Sequence, residues 1–229
     1  MTSADSERCV TVALTGNPNC GKTTLSNALT GSTDSVGNYP QVTVAKQEHV
    51  IHHRGWDIRL VDLPGIYSLT SQSSEERIGR DFIHNQQPDI VLNVLDAGQL
   101  DRSLFLTTQL IEMGLPRVYA LNMIDEARGK GIRIDVNDLG AMLGGRAVET
   151  AGIYGQGCDT LLDAVVETAE TGNGYEPKII PYDNHLEEAI SRVRALVSEL
   201  HPKVLNDMQA RWLSIKLLEG DEDIIRQED

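Results

Sequence analysis

Cysteine is scarce in this chain: Cys9, Cys20 and Cys158 are the three in 229 residues, odd in number and far apart. That usage makes no disulfide or metal framework and fits a reducing compartment. Basic residues are few as well. Lys and Arg total 20 against 34 Asp and Glu, giving a net charge of −14, and they form no cluster. Binding to RNA, DNA or anionic lipid through phosphate neutralisation needs such clusters, so the composition argues against those partners. No run reaches about 18 apolar residues, the length of a bilayer-spanning helix. Met1 to Arg8 is polar and acidic, without the basic and apolar regions of a signal peptide. The adjacent pair His52-His53 does not suggest a metal site either, because neighbours on a strand point to opposite faces.

What is present is ordinary in amount and specific in order. A chain of 229 residues, 40% hydrophobic and 24% charged, has room for one good-sized domain and a small appendage. Its most informative stretch is Gly16-Asn17-Pro18-Asn19-Cys20-Gly21-Lys22-Thr23, followed by Thr24. It fits the G-x-x-x-x-G-K-[ST] phosphate loop and lies between an apolar run, Val10 to Leu14, and a helix-like run, Leu25 to Leu29. Glycines let successive N–H groups face a phosphate, and the following helix N-terminus adds partial positive charge. Lys22 is placed to reach β/γ-phosphates and the Thr23 hydroxyl to ligate Mg²⁺. Cys20 occupies an x position, where a small residue is accepted.

Apolar strand-like runs cover residues 9–15, 44–52, 57–61, 91–95, 117–121 and 146–149. Helical patterns cover 22–30, a segment from Ser71–Arg77 to Asn85, 104–113, 135–143 and 160–169. Alternation of near-continuous apolar strands with helices predicts an α/β fold: a mostly parallel sheet with helices on both faces. Ligands then bind at the carboxyl ends of the strands. Arg54-Gly55 joins its two flanking strands as a hairpin. Residues 31–43 are rich in Gly, Ser and Asn without an apolar period and read as a long functional loop. After residue 170 the texture changes. Tyr175 to Tyr182 is extended, and stripes at Leu186, Ala189, Ile190, Val193, Leu196, Val197, Leu200 and at Leu205, Met208, Trp212, Ile215, Leu218 predict two amphipathic helices. The division is therefore residues 1–170 and a small helical domain, 171–229, with an acidic tail from Gly220 expected to fray.

The loops after the strands carry the remaining chemistry. Asp62-Leu63-Pro64-Gly65 ends a strand about 40 residues after the phosphate loop; its carboxylate can hold Mg²⁺ and its Gly65 N–H can bond a γ-phosphate. Asn122-Met123-Ile124-Asp125 follows another strand. A carboxylate at Asp125 accepts from guanine N1–H and N2–H₂, a pattern adenine lacks. Met123 stands where Lys is more common and can cover a nucleotide by apolar contact. Thr150-Ala151-Gly152 is placed for backbone contacts to guanine O6. Thr43 closes the long loop, with a hydroxyl for Mg²⁺ and an amide for the γ-phosphate when that phosphate is present. Ile66, directly after Gly65, cannot orient a water molecule.

These motifs resemble the GTPases with Gly-x-Pro-Asn-x-Gly-Lys loops. With Val36-Gly37-Asn38-Tyr39-Pro40, Val42-Thr43-Val44, Tyr67-Ser68-Leu69, Val94-Leu95-Asp96-Ala97 and the ending Arg211 to Asp221, they resemble ferrous iron transport protein B most closely. The resemblance implies a Ras-like P-loop GTPase on the cytoplasmic face of a bacterial inner membrane, controlling Fe²⁺ uptake through a membrane part outside this chain. It implies GTP and GDP with Mg²⁺ as ligands, other iron-transport components or a second copy as partners, and a helical domain that favours GDP retention. It also implies that Asn19, with first-switch carbonyls, holds K⁺ beside the phosphates in place of an arginine finger. Asn19, Lys22, Thr43 and Gly65 are then the catalytic set. The family commonly has Gly where Gln41 stands, which bears on that K⁺ geometry. A nucleotide sensor with incidental hydrolysis and a ribosome- or tRNA-associated GTPase of the same branch are the alternative readings.

Overall fold

The computed structural model describes residues 8–31, 35–38, 45–70, 73–171, 175–200 and 206–228. In chain order they form β1 (Arg8–Gly16), α1 (Lys22–Thr30), β2 (Ser35–Asn38), β3 (Ala45–His53), β4 (Trp56–Asp62), α2 (Ser74–Gln86), β5 (Ile90–Asp96) and α3 (Leu100–Glu112). Then follow β6 (Arg117–Asn122), α4 (Ile124–Gly129), α5 (Val136–Leu143), β7 (Arg146–Glu149), α6 (Cys158–Thr171), α7 (Asn184–Leu200), α8 (Asp207–Glu219) and α9 (Glu222–Glu228).

The strands make one sheet in the order β2-β3-β4-β1-β5-β6-β7. β4, β1, β5, β6 and β7 run parallel, whereas β3 is antiparallel to both its neighbours. Val12, Leu14, Leu92 and Val118 on one face of the sheet pack with Leu25 and Leu29 of α1 and Leu161 and Val165 of α6. Their sequence neighbours Ala13, Val91 and Tyr119 point to the opposite face and are also buried. Both faces are therefore covered, which is why these strands read as continuous apolar runs. Register places Leu14 beside Asp62, Gly16 beside Val94 and Asp96 beside Asn122. The loops with polar chemistry thus emerge along one edge.

Two local features differ from the sequence expectation, and a third agrees with it. Residues 31–43 are not a loop throughout, because Ser35–Asn38 adds antiparallel to β3. Ser-Val-Gly-Asn has no usable alternation, and the unpaired backbone of a sheet edge supplies its partner. The tail does not fray from Gly220: Glu222–Glu228 is helical, with Ile224 buried. The hairpin at Arg54-Gly55 is present, both residues having positive φ (48° and 76°), as a two-residue turn matched to strand twist requires.

By contacts the chain divides into two compact units. One comprises residues up to 107 with 115–176, and the other comprises 108–114 with 177–229. In the second unit α8 is buried on most sides, with Ala210, Trp212, Leu213, Ser214 and Ile215 all enclosed. α7 packs by a narrow face, Ile190 and Val197, leaving Leu196 and Leu200 exposed. Its predicted stripe was thus too wide. Arg211 forks onto Glu187, Nη1 to Oε2 at 2.8 Å and Nη2 to Oε1 at 2.7 Å, and Tyr182 N–H adds a bond to Oε1 at 3.0 Å. The Arg211 hydrogen bonds, then the Tyr182 backbone bond, hold the Glu187 carboxyl at about 2, below its ordinary 4.5. A depressed folded value contributes stability that is present above the unfolded value and lost as pH falls through the folded one. Thermal melts between pH 5 and pH 2 should therefore show an acid-sensitive loss, which Glu187→Gln flattens; parallel melting curves for both proteins would count against it.

Candidate functional site

β1 ends at Gly16 because nothing larger fits: a Cβ there would lie 2.8 Å from Val94 O and 2.9 Å from Cys20 Sγ. The chain then turns through Asn19 (φ 67°) and Gly21 (φ 79°). A Cβ on Gly21 would lie 2.4 Å from Asn122 Nδ2, so left-handed backbone and close approach both demand glycine there. α1 begins immediately, with no side-chain cap and no acidic residue in its first turn. The N–H groups of Lys22, Thr23 and Thr24 have no acceptor inside the helix, which leaves positive potential at this end. Asn19, Thr23 and Thr24 are exposed and Pro18 is partly so. Asn17 is buried, and its Nδ2 donates to Arg102 O at 2.9 Å. Burial pushes the Cys20 thiol up to about 11, which makes it packing, not a nucleophile.

The end of β4 meets this loop. Lys22 Nζ pairs with Asp62 Oδ1, and the two side chains are only 10% and 4% exposed. Leu63 N–H donates to Leu14 O at 2.9 Å and Ile66 N–H to Gly16 O at 3.1 Å, so the turn through Pro64 and Gly65 is tied to β1. A Cβ on Gly65 would lie 3.3 Å from Pro18 Cα, so its backbone lies directly against the phosphate loop. Ile66 is buried at 2% exposure, a hydrocarbon where a water-orienting amide would stand. Of the two glutamates in the first turn of α2, Glu76 accepts from Ser68 Oγ at 3.0 Å and Glu75 from Ser74 Oγ at 2.9 Å.

The third wall is built by Asn122. Its Nδ2 donates to Cys20 O at 2.9 Å, and its Oδ1 accepts from Thr150 Oγ1 and from Gly152 N–H, each at 3.1 Å. One buried amide thus joins the phosphate loop, the loop after β6 and the loop after β7. Met123 takes a left-handed conformation (φ 57°) that starts α4 and places the partly exposed Asp125 in its first turn. Ile124 N–H donates to Thr150 O at 3.3 Å, and Gly152 has no room for a Cβ, which would lie 3.1 Å from Leu25 Cα. Thr150 and Ala151 are buried behind this edge. The structure therefore brings residues 16–24, 62–65, 122–125 and 150–152 to one edge of the sheet. Thr43 and Gln41 lie outside the described residues. Asp96 and Arg102 border the same loop; Asp96 lies in the Val94-Leu95-Asp96-Ala97 stretch that follows the family pattern, whereas Arg102 carries no motif and its only sequence signal was its place after β5.

A mostly parallel sheet with a phosphate loop after β1, an Asp-x-x-Gly turn after β4 and an Asn-x-x-Asp segment after β6 defines a Ras-like P-loop GTPase fold. Family models sharpen this: residues 10–165 match ferrous iron transport protein B and residues 182–229 match the FeoB cytosolic helical domain. The chain belongs to the FeoB family.

It is 43% identical over 221 residues to an Fe(2+) transport protein A/Fe(2+) transporter FeoB fusion protein of Porphyromonas gingivalis, covering 95% of this chain and 26% of that protein. A mutant of S. thermophilus NFeoB bound to mGDP is 38% identical with TM-score 0.85, covering 95% of this chain and 82% of that one. The cytosolic domain of the T. maritima FeoB iron transporter in its GMPPNP form is 36% identical with TM-score 0.86, covering 96% and 84%. The chain spans about a quarter of the length of the curated relatives it matches. Among the described residues no helix is long and apolar enough to cross a membrane.

Proposed function

We propose that this chain binds GTP, hydrolyses it to GDP and phosphate, and acts as the switch domain of a bacterial Fe²⁺ transporter at the cytoplasmic face of the inner membrane. The observation that carries the reading is the apposition of Lys22, the uncapped start of α1 and Gly65 around one loop. Lys22 and the first N–H groups of α1 bind the β/γ-phosphates, and Gly65 N–H reaches the γ-phosphate. Asp125 reads the guanine edge, with Met123 and the Thr150–Gly152 backbone beside it.

The donors fit the implied metals. Asp62 is a buried carboxylate already facing a cation, and the Thr23 hydroxyl is exposed next to Lys22; both are hard oxygen ligands suited to Mg²⁺, and Thr43 would complete the set. Asn19 offers an exposed amide oxygen, suited to K⁺. When bound, these ions supply positive charge opposite the charge that develops on the transferring phosphoryl group. Ile66 cannot orient the attacking water, so switch backbone groups take that task and intrinsic turnover is slow. Residues 171–229 form the helical domain that favours GDP retention, and the membrane part of the transporter is the partner it serves.

GTP hydrolysis by the purified chain in KCl and in NaCl tests this, with Asn19→Ala alongside. The wild type should be faster in KCl by at least about tenfold, and Asn19→Ala should erase the difference. Equal rates in the two salts would remove the K⁺ role. The buried Ile66 also supports a second reading, a nucleotide sensor whose hydrolysis is incidental. Equal Fe²⁺ transport with a non-hydrolysable GTP analogue and with GTP, but not with GDP, would select it.

A further inference from the structure

The first turn of α3 touches both phosphate-facing segments through one residue that belongs to no motif. A small cavity beside the phosphate loop is lined by Asn17 and Asn19, by Tyr67, and by Asp96 and Arg102. The Arg102 carbonyl accepts from Asn17 Nδ2 at 2.9 Å. Its guanidinium carbon lies 6.0 Å from the centroid of the Tyr67 ring. Arg102 Nη1 donates to Gln99 Oε1 at 3.2 Å, and Gln99 Nε2 donates to Asp96 Oδ2 at 3.2 Å. This relay starts at the end of β5 and orients the guanidinium. Tyr67 is 48% exposed, so burial alone does not fix its ring; the cation on its face favours one orientation.

We propose that Arg102 is a positioning residue for GTP hydrolysis. It stacks on Tyr67 while its carbonyl holds Asn17, and so it fixes the Gly65–Tyr67 turn against the phosphate loop. Ile66 N–H to Gly16 O at 3.1 Å anchors one end of that turn, and the Arg102 stack anchors the other. The Gly65 N–H is then preorganised for the γ-phosphate. A donor of this kind acts mainly on charge that develops in the transition state, so loosening it lowers kcat more than it raises KM. The proposal rests on the hydrolase reading above.

The test is steady-state GTP hydrolysis by the whole chain carrying Arg102→Ala, Arg102→Lys, Tyr67→Ala, Tyr67→Phe, or both alanine substitutions. Each alanine variant should lose about 2- to 5-fold in kcat, the range a partly exposed cation–π contact supports, with KM for GTP unchanged. The double variant should be no slower than the slower single one. Tyr67→Phe keeps the ring face and should keep the wild-type kcat, and Arg102→Lys should fall between. Multiplying losses in the double variant, an unchanged kcat in both alanine variants, or a loss carried by KM would each overturn the proposal alone. A wild-type chain that binds GTP without turning it over would overturn the hydrolase reading and this proposal with it.

Discussion

Asp125→Asn should weaken GTP binding by about 100- to 1,000-fold and shift preference toward XTP. On the proposed reading the carboxylate would accept from guanine N1–H and N2–H₂, hydrogen bonds of the charged kind, each contributing about 1.5–3 kcal/mol. Asparagine can still accept from N1–H through its oxygen, but it turns an N–H₂ donor toward the guanine amino group. Xanthine carries a carbonyl at that ring position, which accepts from the new amide. The fold supports the substitution, because α4 is started by the left-handed Met123 and the Ile124 N–H bond to Thr150 O (3.3 Å), both backbone features. Competition of GTP, XTP and ATP against a fluorescent GDP measures the shift. Unchanged GTP affinity would refute the assignment of base recognition to this residue.

Much of this site was legible because its physics is local. The glycines at 16 and 21 answer to missing space for a Cβ, and the second also answers to a positive φ; a loop that must pass this close to other backbone shows its need in the sequence. Strands β1, β5 and β6 were legible because burial on both faces writes them as unbroken apolar runs. Other features depend on context that no local pattern encodes. β2 exists because the edge of β3 offers it hydrogen bonds. α4, only Ile124–Gly129, is too short to show a helical period and is set by one left-handed residue before it. Leu196 and Leu200 fit a helical stripe yet stay exposed, since α8 is the enclosed helix of its unit and α7 lends it only a narrow face. Arg102 was invisible for a related reason: its importance comes from where α3 starts, beside Asn17 and Tyr67, and not from any spacing along the chain.

Asn122 was legible as part of a nucleotide-reading motif, and its geometry gives it a structural task as well. Its side chain is held by Cys20 O, Thr150 Oγ1 and Gly152 N–H at 2.9–3.1 Å, and it sits in the space that Gly21 leaves open. Asn122→Ala removes all three bonds from a residue 2% exposed. Stranding buried groups costs about 1–3 kcal/mol each, and water entering the gap offsets part of that, so the net loss should be roughly 3–5 kcal/mol. For a domain of this size that lowers Tm by about 10 °C. Asn122→Asp should be nearly as harmful: it keeps two acceptors for Thr150 and Gly152, yet turns a carboxylate onto the Cys20 carbonyl. The nucleotide response separates this residue from Asp125. Asn122 joins the phosphate loop and the base-side loops to one another, so its alanine variant should weaken GTP, GDP and XTP by similar factors. Asp125→Asn, in contrast, should divide them. An Asn122→Ala chain that melts with the wild type and binds GTP equally well would show that the three loops keep their places without it.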